Sequence, residues 1–102
     1  MATVSIPNNT VTVLLAGDTS KTPAKAVWIQ NFNTTVGFSL KAVPGHSDEL
    51  DAVTIGADLF LAPAVSSTQP TTLLADTPAL AAAKWLVRQN SGGAVNLNVG
   101  RF

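Results

Sequence analysis

Few side chains in this sequence are equipped for covalent chemistry. The 102 residues include one His and no Cys or Tyr, and six acids balance six bases. His46 stands beside Ser47 and Asp48, just after Pro44 and Gly45. Adjacency in sequence is not the geometry that a nucleophile, its base and an orienting carboxylate require, so an exposed polar turn is expected there. Asp48, Glu49, Asp51 and Asp58 hold four of the six acids and offer hard oxygen ligands of the kind Ca²⁺ takes. Their spacing is not that of an EF-hand loop, and a solvated acidic turn is the simpler reading. Gly92-Gly93 lies between two strand-like runs, not between a strand and a helix, so it marks a turn and not a phosphate loop. The expectation is therefore no catalytic, cofactor-binding or metal-ligating residue, no cofactor and no enzymatic activity.

Trp28 and Trp85 are the largest side chains. Each lies within an apolar run, which predicts a core anchor. An indole exposed on a sheet face would instead stack on sugar rings, so exposure of either one favours carbohydrate binding. Thr10-Val11-Thr12 has the spacing of an ice-binding surface but occurs once. Asn8-Asn9-Thr10 and Asn33-Thr34-Thr35 fit the glycosylation pattern, as chance allows in a chain with seven Asn and so much Ser and Thr.

The elements that must position these residues are mostly strands. Charged residues make up 12% of the chain, against about 25% in an ordinary domain. Asn, Gln, Ser and Thr, 29 residues in all, must wet the surface instead. Zero net charge argues against a nucleic-acid or anionic-membrane partner. The absence of Cys excludes a disulfide frame and a thiolate zinc site. Pro63 and Pro70 interrupt the stretch Leu59–Ala75, so no membrane span is expected. The first residues lack the basic and apolar regions of a secretion signal, which points to a cytosolic product.

Period-two alternation predicts strands within Thr3–Ala16, at Lys25–Asn31 and Val36–Leu40, at Val53–Ala57 and Asp58–Pro63, and across Leu86–Val99. Ser66–Thr72 reads as a polar loop. Asp76–Lys84 reads as a helix of about two turns, capped by Asp76 or Thr77 with Pro78 in its first turn. Val27–Leu40 aligns without gaps on Leu86–Val99, each segment carrying Gln-Asn before a turn: Gln30-Asn31 and Gln89-Asn90. Both segments, Lys25–Leu40 and Trp85–Val99, are expected to be hairpins, with Val36, Phe38, Leu40, Val95, Leu97 and Val99 facing inward. The result is an all-β chain, a small antiparallel β-sandwich or barrel with one short helix. It forms a single domain over 1–102, with 1–10 as a candidate extended arm. Val36–Leu40 and Val95–Val99 lack the charges and prolines that guard strand edges, which predicts edges covered by self-association or docking, or else by the short helix and loops of the same subunit.

Val27-Trp28-Ile29-Gln30-Asn31, a polar turn, then Val36-Gly37-Phe38-Ser39-Leu40 resembles a unit of small β-sandwich virion structural proteins of tailed bacteriophages, most like head decoration (cement) proteins. Asp58–Pro63 and Trp85–Gly92 are similar in order to later strands of that family. The likeness is one of strand grammar over most of the chain. It implies a non-enzymatic virion protein that decorates and stabilises a bacteriophage capsid by binding its outer surface. The implied partner is the major capsid protein lattice, the implied location the capsid surface after synthesis in the host cytoplasm, and the implied state a homo-oligomer, a trimer by preference. The alternative is a carbohydrate-binding β-sandwich module using an exposed Trp.

Overall fold

The computed structural model describes residues 2–18, 24–43 and 59–102. His46, Ser47, Asp48, Glu49, Asp51, Asp58 and the strand expected at Val53–Ala57 lie outside the described residues. The described chain forms β1 (Ala2–Ile6), β2 (Thr12–Leu15), β3 (Val27–Asn31), β4 (Phe38–Val43), β5 (Leu59–Leu61), β6 (Thr71–Ala75), α1 (Pro78–Ala81), β7 (Lys84–Arg88) and β8 (Val95–Arg101). The strands build two antiparallel sheets, ordered β1-β8-β3-β6 and β2-β7-β4-β5. Among the described residues no helix is long and apolar enough to cross a membrane.

The pairings nest. β1 pairs with β8, β2 with β7, β3 with β6 and β4 with β5, so the chain is one long antiparallel ribbon doubled back between β4 and β5. Rolling that ribbon brings β3 against β8 and β4 against β7. This is the connectivity of an eight-stranded jelly roll, and it confirms the all-β sandwich. The core is filled by alternate residues of the four interior strands: Val27 and Ile29, Phe38 and Leu40, Trp85 and Val87, Leu97 and Val99. Ile6, Leu14, Leu61 and Ala75 close it from the outer strands. The six residues expected to face inward do so, with Val36 and Val95 half-buried against the core. Burying each Leu, Ile, Val or Phe contributes about 1.5–3 kcal/mol, which here outweighs weak local preferences.

Neither expected hairpin forms. β3 and β4 lie in different sheets, and so do β7 and β8; each Gln-Asn segment arches from one sheet to the other. Alternation and a polar turn specify two strands and a reversal of direction, but not the pairing partner. The intervening 32–37 and 89–94 are longer than the two-residue turns that force neighbours to pair. The runs read as bare edges, Val36–Leu40 and Val95–Val99, feed the interior strands β4 and β8, and their ladders are filled on both sides. The actual edges are β1, β6, β2 and β5. They too lack charge, but β5 is three residues long, β2 shifts register between Val13 and Leu15, and Pro7 and Pro70 flank β1 and β6. Ala2–Ile6 pairs with β8 along its whole length, so this part of 1–10 is an edge strand and not an arm.

Two further differences have one cause. The helix is a single turn, with Thr77 Oγ1 accepting from the Leu80 N–H and Pro78 at its start, because Lys84 already begins β7. Burial of Trp85 and Val87 in the sandwich overrides the helix preference of the alanines before them. Likewise Thr71–Ala75, whose first two residues fall in the expected loop, is β6 because β3 offers it a complete antiparallel partner.

Candidate functional site

Because consecutive strands alternate in direction, the connections β1–β2, β3–β4, β5–β6 and β7–β8 gather at one end of the sandwich. They comprise residues 7–11, 32–37, 62–70 and 89–94, and none of them is charged. Asn8, Asn9, Thr10, Thr34, Thr35, Ser67, Thr68, Gln69, Asn90 and Ser91 are exposed at this end, together with Val65 at 86%.

Two buried amides hold the end together. Asn31, fully buried at the end of β3, donates from Nδ2 to the Val36 carbonyl (2.7 Å) and to the Ala62 carbonyl (3.0 Å). Its Oδ1 accepts from the Asn33 N–H (2.9 Å) and from Asn33 Nδ2 (2.9 Å), and Asn33 Nδ2 also donates to the Asn96 carbonyl (2.8 Å). Gln89, equally buried after β7, donates from Nε2 to the Ile6 carbonyl (3.1 Å) and the Gly93 carbonyl (2.7 Å), while its Oε1 accepts from the Ser91 N–H (2.7 Å). Each amide thus accepts from the N–H two residues on, donates to a carbonyl later in its own arch, and donates to a carbonyl of another connection or strand. In the ungapped sequence alignment Asn31 falls on Asn90, but in role it matches Gln89. The echo marks a shared corner geometry displaced by one residue.

Further bonds link the remaining connections. Asn8 Oδ1 accepts from the Gly92 N–H (2.8 Å), the Asn9 N–H donates to the Gln89 carbonyl (2.7 Å), and the Ala64 N–H donates to the Asn33 carbonyl (2.7 Å). Arg88 donates from Nε and Nη2 to Asn9 Oδ1 (3.1 and 2.6 Å). Gly92, at φ 96°, supplies the left-handed residue of the β7–β8 arch, so the Gly92-Gly93 turn is present as expected. A cleft of about 220 Å³ separates the two arches, lined by Thr35, Val36 and Gly37 on one side and Asn90 and Ser91 on the other. It is shallow and neutral, with hydroxyls and an amide at its rim. Among the described residues no group of three His, Cys, Asp or Glu could hold a metal ion.

A second surface lies on the outer face of the first sheet. Register aligns Thr3, Asn98, Gln30 and Thr72 in one row across β1, β8, β3 and β6, and Gly100, Trp28 and Leu74 in the next. None is charged. The Trp28 indole is 41% exposed, and the Phe102 ring meets it edge-on at 5.2 Å between centroids. Phe102 is set there by backbone bonds in both directions with Ala26. The two tryptophans therefore separate. Trp85 is the core anchor, 1% exposed with Nε1 donating to the Leu80 carbonyl (2.9 Å), and Trp28 is the surface one. The Thr10 and Thr12 hydroxyls are spent on the carbonyls of Asn8 and Thr10, so they do not form an ordered hydroxyl array.

No family model matches the chain, and no curated protein or solved structure matches it. Asn31 and Gln89 were visible in the sequence as turn markers but not as buried anchors. The row of Gln30, Asn98 and Thr72 was not visible at all, because it depends on which strands pair.

Proposed function

We propose that this chain is a structural virion protein, a small jelly roll that decorates a bacteriophage capsid and stabilises it without catalysing a reaction. The observation that carries the reading is this end of uncharged loops, where buried Asn31 ties the β3–β4 and β5–β6 connections together and buried Gln89 ties the β7–β8 connection to the end of β1, with the Arg88 guanidinium bonded to Asn9. A preorganised neutral surface pays little ordering entropy on docking and keeps its contacts at any ionic strength. Such a contact can be modest, since many identical copies on one shell act together. The jelly roll is an architecture shared by capsid and lectin domains, which is compatible with this reading and does not select it. The uncharged edge strands β1 and β6 offer sites for homo-oligomer contacts, with a trimer as the preferred state.

The test is sedimentation of the labelled protein with filled and emptied bacteriophage particles over a salt series. Retention that is unchanged between low and high salt, and that raises the temperature at which the particles open, is the expected result. Retention at low salt only, or on no particle, overturns the proposal. Light scattering of the free protein checks the trimer.

A further inference from the structure

We propose that the outer face of the first sheet binds a neutral oligosaccharide, with Trp28 as the stacking platform and Gln30, Asn98 and Thr72 as the hydrogen-bonding row beside it. This site is separate from the end of uncharged loops and does not rest on capsid docking.

Among the described residues nothing hydrogen-bonds to the Trp28 indole N–H, the Gln30 amide or the Thr72 hydroxyl, in contrast to Trp85, Asn31 and Gln89, whose polar atoms are all used. Asn98 accepts at Oδ1 from the Thr3 hydroxyl (2.9 Å), and its Nδ2 has no hydrogen-bond partner among the described residues. Trp28 and Gln30 are two residues apart on β3, about 6.6–6.8 Å along the strand, and the neighbouring strands lie about 4.7–4.9 Å to either side. A ring stacked on the indole therefore has amides and a hydroxyl within reach of its edge. Gly100 beside Trp28 carries no side chain to cover the indole, and Phe102, two residues further along the same strand direction, packs edge-on against it.

The chemistry of the occupant follows. Its body must be apolar enough to lie on Trp28 and Leu74, and its rim must both donate and accept, because amides and a hydroxyl ask for both. Sugar hydroxyls do both, and the C–H face of a pyranose supplies the apolar side. A protein docking on the same face would have to desolvate Gln30, Asn98 and Thr72 one pleat away from the apolar row, which is costly unless each finds a partner. The outward positions of the four strands hold no cation to attract a sulfate or uronate, so the glycan is a neutral one.

The test is a titration of the ¹⁵N-labelled protein, followed by NMR, with hexasaccharides of glucose, galactose, mannose and N-acetylglucosamine, and with a sulfated glycan as a control. The two indole N–H signals report the two tryptophans separately. A neutral hexasaccharide is expected to shift the Trp28 signal in a saturable way and to leave the buried Trp85 signal in place. Trp28→Ala should abolish binding, and Gln30→Ala should weaken it about tenfold, the loss expected of an amide's hydrogen bonds. The Trp85 signal shows that each variant is folded. The proposal is overturned if no neutral hexasaccharide binds at millimolar concentration, if only the sulfated glycan binds, or if both variants bind as well as the parent. It is equally overturned if the Trp28 signal responds only to protein concentration, which would mark the face as a contact between copies of the chain. Particle sedimentation of Trp28→Ala tells the two proposals apart, because docking through the end of uncharged loops is expected to survive that substitution.

Discussion

Replacing Asn31 tests whether the corners of this jelly roll are held by buried amides. The side chain is fully buried and satisfies three backbone groups, the Val36 and Ala62 carbonyls and the Asn33 N–H. Asn31→Ala leaves all three without their partner. Each orphaned buried group costs about 1–3 kcal/mol, and water reaching the half-exposed arch recovers part of it, so a net loss of about 3–5 kcal/mol is expected. A domain of this size has about 5–15 kcal/mol in total. At about 5 °C per kcal/mol, the midpoint of thermal unfolding should fall by roughly 15–25 °C. Asn31→Asp is the sharper variant. It keeps the shape and Oδ1 but replaces the donating Nδ2 by an oxygen that faces two carbonyls, and at neutral pH it buries a charge. It should therefore destabilise at least as much as Asn31→Ala. Urea unfolding at pH 7, with the slope checked for two-state behaviour, measures both. A loss below about 1 kcal/mol for Asn31→Ala, or an Asp variant milder than the Ala variant, would refute the idea that this amide fixes the arch.

Three other substitutions probe separate joints. Arg101 donates from Nε, Nη1 and Nη2 to the carbonyls of Ala81, Ala16 and Ala83, so Arg101→Lys, which keeps the charge but loses the fork, should cost about 1–2 kcal/mol in urea unfolding. A Cβ at Gly37 would overlap the ring of Phe60, which is 54% exposed, so Gly37→Ala should cost about 1–2 kcal/mol alone and clearly less in a Phe60→Ala background. Strict additivity in that double-mutant cycle would mean the ring is not the obstacle. Thr77→Ala removes a cap from a helix of one turn, and calorimetry should show a loss of no more than about 1 kcal/mol.

What the sequence could convey about the fold was the strand content and the inward faces. The alternation through Val27–Asn31, Val36–Leu40 and Val95–Val99 is a local property, and burial follows it. Pairing is not local. The ribbon joins Ala2 to Val99 and Val27 to Ala75, separations at which no periodicity in either segment names the other. Asn31 and Gln89 were misleading for a physical reason. Amides before a Thr- or Gly-rich stretch are ordinary turn residues, and the same donors and acceptors serve equally to bind carbonyls of a third segment inside a corner. Of the two surfaces, the absence of charge from the four loops was legible in the sequence, but their gathering into one end was not. Trp28 and Trp85 occupy equally apolar runs and differ only in which side of a sheet they occupy, which one residue of register decides.

That same register explains how one small domain can carry two neutral surfaces without collapsing onto itself. Inward positions of β3 and β8 take Val27, Ile29, Leu97 and Val99, and the intervening outward positions take Trp28, Gln30, Asn98 and Gly100. A slip by one residue would bury two amides and expose four core residues, a penalty far larger than any loop preference, so the outer face is held in place by the core beneath it. The arches are held differently, by Asn31 and Gln89, three residues or about 10 Å further along β3 from Trp28 in the first case. Strand ends and a sheet face point in perpendicular directions. A domain seated by its end of uncharged loops would therefore present Trp28 and its row of amides sideways to solvent, where a glycan can reach them while the other surface is occupied.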